Sequence, residues 1–137
     1  MTVHSQHRAR KMSITFDMAL VEDRVIDGKP ARVSYQLDTE LAINMSNSNA
    51  FHVMSHAIHW ATGEDMDYCG RLNETEIVAA IGYMAEEVER VDSLYKSAVR
   101  GLRAGEASRL EYERARLNQM IVLFCAARDQ NRQISWS

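Results

Sequence analysis

The feature that most constrains the fold is a stripe of apolar side chains along residues 77–102. These side chains recur with alternating spacings of four and three residues: Ile77, Ile81, Met84, Val88, Val91, Tyr95, Ala98 and Leu102. An α-helix places such spacings along one narrow face, so the segment is predicted to form one long helix. Asn73 followed by Glu76 matches the reciprocal capping pattern that starts a helix. A stripe of about seven turns needs an equally long partner, either another helix or a second copy of the chain.

The segment after this stripe is the expected partner. Gly105 is predicted to end the first helix, and Ser108 with Glu111 matches a second capping pattern. The two helices are therefore predicted at 74–104 and 109–130, and their short connection makes them an antiparallel hairpin. Because helices of this length extend beyond a small sheet, we expect the chain to form a homo-oligomer through them.

The first part of the chain has the two-residue period of β-strands. Apolar side chains alternate with polar ones at Ile14, Phe16, Met18 and Leu20. The sequence Asp-Gly-Lys-Pro at 27–30 predicts a turn. A second alternation begins at Val33 and continues in the same phase to Met45, as one long strand or as two pieces broken near Asp38. We predict a short antiparallel sheet of two or three strands, and hence an α+β fold.

One amphipathic helix is predicted between the sheet and the hairpin. The small polar residues at 46–49 favour a helix start, and Gly63 is expected to close a helix of about 49–61. Three histidines, His52, His56 and His59, share one side of it with Ser55. The other half holds the apolar residues Ala50, Phe51, Val53, Met54, Ala57, Ile58, Trp60 and Ala61.

Three interpretations of the histidine side remain open from the sequence. It is a solvated or interface surface that happens to contain histidine, a metal site, or a polar pocket. A metal would be bound by His52 and His56 with an acidic or thiol ligand from the loop that follows, namely Asp65, Asp67 or Cys69. Val53 stands where the zinc peptidase motif has its glutamate, so that general base is missing.

A polar pocket would combine the histidines with the asparagine-rich helix start. Free N–H groups at a helix N-terminus favour anions, and imidazoles add positive charge near neutral pH. The candidate binding residues are therefore Asn47, Asn49, His52, His56 and His59.

Length and composition limit the class of protein. A chain of 137 residues is expected to hold one domain, at 12–137, behind a flexible basic tail at 1–11. Its net charge of −3 argues against a role in nucleic-acid binding, which usually requires a basic surface. Cys69 and Cys125 are expected to be free thiols in the cytoplasm. There is no apolar run long enough for a membrane span, and no cofactor is expected.

The junction between the predicted second strand and the first helix resembles an element of known small proteins. Residues 44–50 read Asn-Met-Ser-Asn-Ser-Asn-Ala, and Asp-Tyr-Cys-Gly follows at 67–70. Small uncharacterised proteins of actinobacteria and their phages carry a similar N-x-S-N-x-N-A element, followed by a helix and a glycine-containing loop. The resemblance implies a small α+β domain of bacterial or phage origin and no particular activity.

Taken together, these patterns favour a non-catalytic binding protein. It is expected either to capture a small anionic or nucleotide-like ligand near residues 47–59 or to block a partner protein, as a phage antagonist of a host system would. The alternative is a metal-dependent hydrolase that uses His52, His56 and His59.

Overall fold

Five strands and three helices make up the computed structural model, which describes residues 12–137; the predicted tail at 1–11 lies outside the described residues. The predicted α+β class is confirmed. In chain order the elements are β1 (Ser13–Ile26), β2 (Lys29–Gln36), β3 (Ile43–Ser46), α1 (Asn47–Thr62), β4 (Gly70–Leu72), α2 (Glu74–Arg100), α3 (Ala104–Asp129) and β5 (Gln133–Trp136).

The sheet is antiparallel and is organised around β1. Along one edge β1 pairs first with β3 and then with β2; along the other it pairs with β5, and β4 lies outside β5. The buried side chains of β1, among them Ile14, Phe16 and Met18, belong to the core that the helices cover. The sequence predicted two or three strands because β4 and β5 are too short to show an alternation of their own.

The second alternating segment is broken into two pieces, as one of the two sequence alternatives has it. Residues 37–42 separate β2 from β3, and Asp38 adopts a left-handed conformation with φ of 58°. Asp17 of β1 stabilises this break, because its buried carboxylate accepts hydrogen bonds from the backbone N–H and the hydroxyl of Thr39. A buried carboxylate needs such donors.

The helical hairpin turns earlier than predicted. Helix α2 ends at Arg100, and α3 begins at Ala104, so that Gly105 and Ser108 lie inside α3. Leu102 makes the reversal possible with a left-handed φ of 56°, and the N–H of Arg103 donates to the carbonyl of Ala98 at 2.9 Å. The predictions that Gly105 ends the first helix and that Ser108 starts the second are wrong, because a leucine takes the conformation expected of glycine.

The apolar stripe of α2 is covered by the chain's own α3. Ile77, Met84, Val91 and Ala98 are completely buried in one core with side chains of α3. Leu102 is 89% exposed and has left the stripe. The stripe therefore needs no second copy of the chain to cover it, and oligomerisation stays a prediction. Within residues 12–137, none of the helices combines the length and apolarity that crossing a lipid bilayer requires.

Candidate ligand-binding cleft

Helix α1 presents His52 and His56 to a space between all three helices. Its apolar side chains, including Met54, Ala57 and Ile58, are buried against the core. The hydroxyl of Ser46 accepts from the N–H of Asn49 and so caps the start, and Gly63 closes the helix with φ of 77°. With one face fixed in the core, the histidines necessarily lie on the opposite side.

The first histidine is held by a buried carboxylate of α3. His52 Nε2 lies 3.2 Å from Glu113 Oε2, and Glu113 is only 8% exposed. Removing a carboxylate from water is costly unless it is hydrogen-bonded or paired. His52 supplies that partner. When Glu113 is ionised, the Nε2 atom of His52 carries the hydrogen and donates it to the carboxylate. The contact orients the imidazole ring and joins α1 to α3.

A second pair of charged groups enters the same space from α2. Arg90 donates two hydrogen bonds to Glu87, from Nε to Oε1 at 3.1 Å and from Nη2 to Oε2 at 2.7 Å. These bonds lower the pKa of Glu87, and the positive charges of Arg90 and His56 lower it further, against the opposing effect of burial. The hydrogen bond to Glu87 also raises the pKa of Arg90, which the charge of Glu113 supports.

These side chains enclose a cleft of about 130 Å³. Its polar walls come from α1, α2 and α3, and its base is apolar. The lining residues are His52, Val53, Ser55, His56, Ala57, Tyr83, Met84, Glu87, Arg90, Glu113 and Leu117. The cleft therefore has the size of a small polar group and presents two imidazoles, one guanidinium and two carboxylates.

An open depression of about 460 Å³ adjoins the cleft and shares Ser55, His56 and Tyr83 with it. Trp60 lines this depression and is 67% exposed. Its ring lies 6.0 Å from that of Tyr83 with the planes inclined by 33°. Burial raises the pKa of the Tyr83 hydroxyl, with a further contribution from the charge of Glu87. Trp60 belongs to the apolar half of the helix in sequence, but unlike Met54 and Ile58 of that half it is not part of the core.

The predicted binding residues fall into two groups. His52 and His56 line the cleft, and His59, which pairs with Asp65 at 3.3 Å, lines the depression with His56. Asn47 and Asn49 line neither space. Asn49 Nδ2 donates to the Tyr112 hydroxyl at 3.2 Å, and the N–H of Asn47 donates to the carbonyl of Met12 at 2.9 Å. The helix start and the histidines are thus separate.

The residues proposed as metal ligands do not come together. Among residues 12–137, no group of three or more histidine, cysteine, aspartate or glutamate side chains is arranged to hold a metal ion. Asp67 instead accepts from the N–H of Tyr68 at 2.7 Å, and Cys69 lines a different depression beside Trp136. The described residues therefore offer the metal-dependent hydrolase alternative no ligand set from His52, His56, Asp67 and Cys69.

Several residues of the cleft were not predicted from the sequence, although the sequence pattern around one of them indicates a buried polar contact. Glu113 occupies a core position in the stripe of α3, where spacings of three and four connect Leu110, Glu113, Leu117, Met120 and Phe124. A carboxylate at such a position is unusual and indicates a buried partner. Glu87 and Arg90 left no such signal, because in sequence they resemble the solvated residues beside them.

Comparison with known protein families, with curated proteins and with solved structures finds nothing that matches this chain. The case for a function therefore depends on the cleft and the depression beside it.

Proposed function

We propose that this chain is a non-catalytic binding protein that captures a small anionic ligand in the cleft between its three helices. The observation that carries the proposal is the convergence of His52, His56 and Arg90, from two helices, on one cleft of about 130 Å³. Binding pockets commonly combine an apolar lining with a few polar groups that fix a ligand's orientation. The cleft has both, because Val53, Met84 and other apolar side chains form its base.

The charges in the cleft favour an anion once the imidazoles are protonated. Each carboxylate already has a partner, Glu87 in Arg90 and Glu113 in His52. With both imidazoles charged, three positive groups face two negative ones; with both neutral, one positive group remains against two negative ones. Imidazole is the side chain whose charge ordinarily changes between pH 5 and 8. Anion affinity should therefore be higher with the imidazoles protonated than with them neutral, whereas a cationic ligand would show the opposite preference.

Inorganic phosphate tests this proposal directly. A ligand that binds only the folded state raises the melting temperature, so phosphate should raise the melting temperature of the unmodified chain. His56→Ala should reduce this effect, because it removes one imidazole from the cleft wall. Scanning calorimetry at constant ionic strength, with sulfate-free buffer and chloride as the reference salt, measures both.

The matched control is Arg109→Ala, which removes an exposed cation of α3 that lines neither space. It should keep the full response to phosphate. If both variants lost the same part of the phosphate response, general surface charge and not the cleft would explain it. If millimolar phosphate did not raise the melting temperature of the unmodified chain, anion capture would be refuted.

A further inference from the structure

The cleft and the open depression are neighbours, which has a consequence for the size of the ligand. Ser55, His56 and Tyr83 line both, so the two spaces adjoin at these side chains. A phosphate-sized group in the cleft would leave the depression unfilled. A longer ligand can enter both at once.

The depression is built for a flat apolar group. Trp60 is among the most exposed large apolar side chains of the described residues, although tryptophan is highly buried on average. Its indole is not isolated, because Tyr83 packs beside it and fixes one edge of the depression. An aromatic ring in this position offers a face on which a planar ring can stack.

Polar groups lie at the border of that face. His59 and Asp65 form a pair 3.3 Å apart and line the same depression as Trp60. A hydrocarbon ring would leave these donors and acceptors without a ligand partner, whereas the edge of a heterocyclic base can hydrogen-bond to them. The border therefore favours a heteroaromatic ring.

The distance between the two parts fits a short linker. His56 and Trp60 are four residues apart on α1, which is about 6 Å along the helix axis. They consequently lie on adjacent turns, about 40° apart around the axis and on either side of the border between the histidine side and the apolar half. One sugar ring is sufficient to connect an anionic group beside His56 to a base that covers Trp60.

We propose that the ligand is a nucleoside monophosphate, with its phosphate in the cleft at His52, His56 and Arg90 and its base stacked on Trp60. This inference rests on the proposed function, because the cleft must first accept an anion. It adds that the depression contributes affinity through the base and that the ring and the anion are parts of one molecule.

The test compares AMP, adenosine and inorganic phosphate. AMP should bind more tightly than phosphate and should quench tryptophan fluorescence. The chain contains two tryptophans, and Trp136 is almost fully buried, so a quenching base reports on Trp60. In Trp60→Leu, measured by calorimetric titration, AMP affinity should fall about tenfold, as is typical when a stacking aromatic is removed. The affinity for phosphate should not change.

Tyr68→Leu is the matched control. Tyr68 is also an exposed aromatic side chain, but it packs on Phe51 and lines neither space. This variant should bind AMP and show quenching as the unmodified chain does. Circular dichroism should show that both variants are folded, as expected for substitutions of exposed side chains.

The outcomes separate the two proposals. If phosphate binds, but AMP binds no more tightly than phosphate and does not quench the fluorescence, the nucleotide proposal is refuted and anion capture stands. If adenosine binds as tightly as AMP and phosphate does not bind, or if none of the three binds, both proposals fall.

Discussion

At the scale of single residues, Glu113 shows how a site is placed inside an otherwise regular core. It occupies a stripe position of α3 between Leu110 and Leu117, both buried. A leucine there would continue the stripe, whereas the carboxylate needs His52 as its partner. Replacing a buried ionic group by an apolar side chain is often neutral or stabilising. At this position the chain therefore buries a carboxylate where an apolar side chain would fit, and that carboxylate orients the imidazole of His52.

We accordingly expect Glu113→Leu to keep or raise the free energy of unfolding, because the apolar stripe becomes continuous. His52→Ala should lower it by about 1–3 kcal/mol, the usual cost of leaving a buried group without its hydrogen-bond partner. Urea unfolding at pH 7 measures both variants. A clear loss of stability in Glu113→Leu would show that the carboxylate has a structural role beyond holding His52.

At the scale of elements, helix boundaries followed from the sequence where a local capping pattern or a glycine marks them, and not where packing sets them. The capping box of Asn73 and Glu76 is present as predicted, because both of its hydrogen bonds depend on residues three positions apart. The end of α2 depends on Leu102, which carries no local signal for a left-handed conformation. The histidine face of α1 was predictable from periodicity, but its partners on α2 and α3 depend on packing between distant segments.

The pair of Glu87 and Arg90 on α2 makes stability depend on pH in a defined direction. The pKa of Glu87 is lowered from about 4.5, chiefly by its hydrogen bonds to Arg90. A carboxyl whose pKa is lower in the folded state stabilises the fold above its unfolded pKa, and this contribution is lost as the pH falls through the folded value. Glu87→Gln should therefore cost roughly 0.3–1 kcal/mol at pH 7 and less at pH 3.

Urea unfolding of Glu87→Gln and the unmodified chain at the two pH values measures this difference. Glu86→Gln is the control, since Glu86 is an exposed neighbour on the same helix. The expectation fails if the two variants lose equal stability at pH 7, or if the difference at Glu87 is as large in acid.

At the scale of the whole molecule, one tight contact joins strands β1, β4 and β5. Trp136 of β5 packs its ring directly over Gly70 of β4, and its Nε1–H donates to the carbonyl of Asp67 at 2.9 Å. On the other side its ring lies 5.8 Å from that of Phe16 in β1. Trp136 thereby connects three strands, and the pairing of β5 with β1 and β4 could not be predicted from the sequence.

Gly70→Ala should destabilise the fold by at least about 1–3 kcal/mol, the usual cost of overpacking a core, because the added methyl group would overlap the ring of Trp136. Gly82→Ala is the matched control. Its new methyl group meets no atom, and alanine is the better helix former by up to about 1 kcal/mol. Thermal unfolding should thus shift in opposite directions for the two variants, and a shared direction would contradict the described contact.

The position of β5 between β1 and β4 also has a consequence for biosynthesis. As the chain leaves the ribosome, β1 can form its hairpin with β2 at once, but its other edge must wait until β5 has been translated. Until then that edge and the apolar side chains beneath it are open to wrong partners. Pairing of segments so distant along the chain is intrinsically slow. The nascent polypeptide is consequently vulnerable to aggregation until β5 is free to pair.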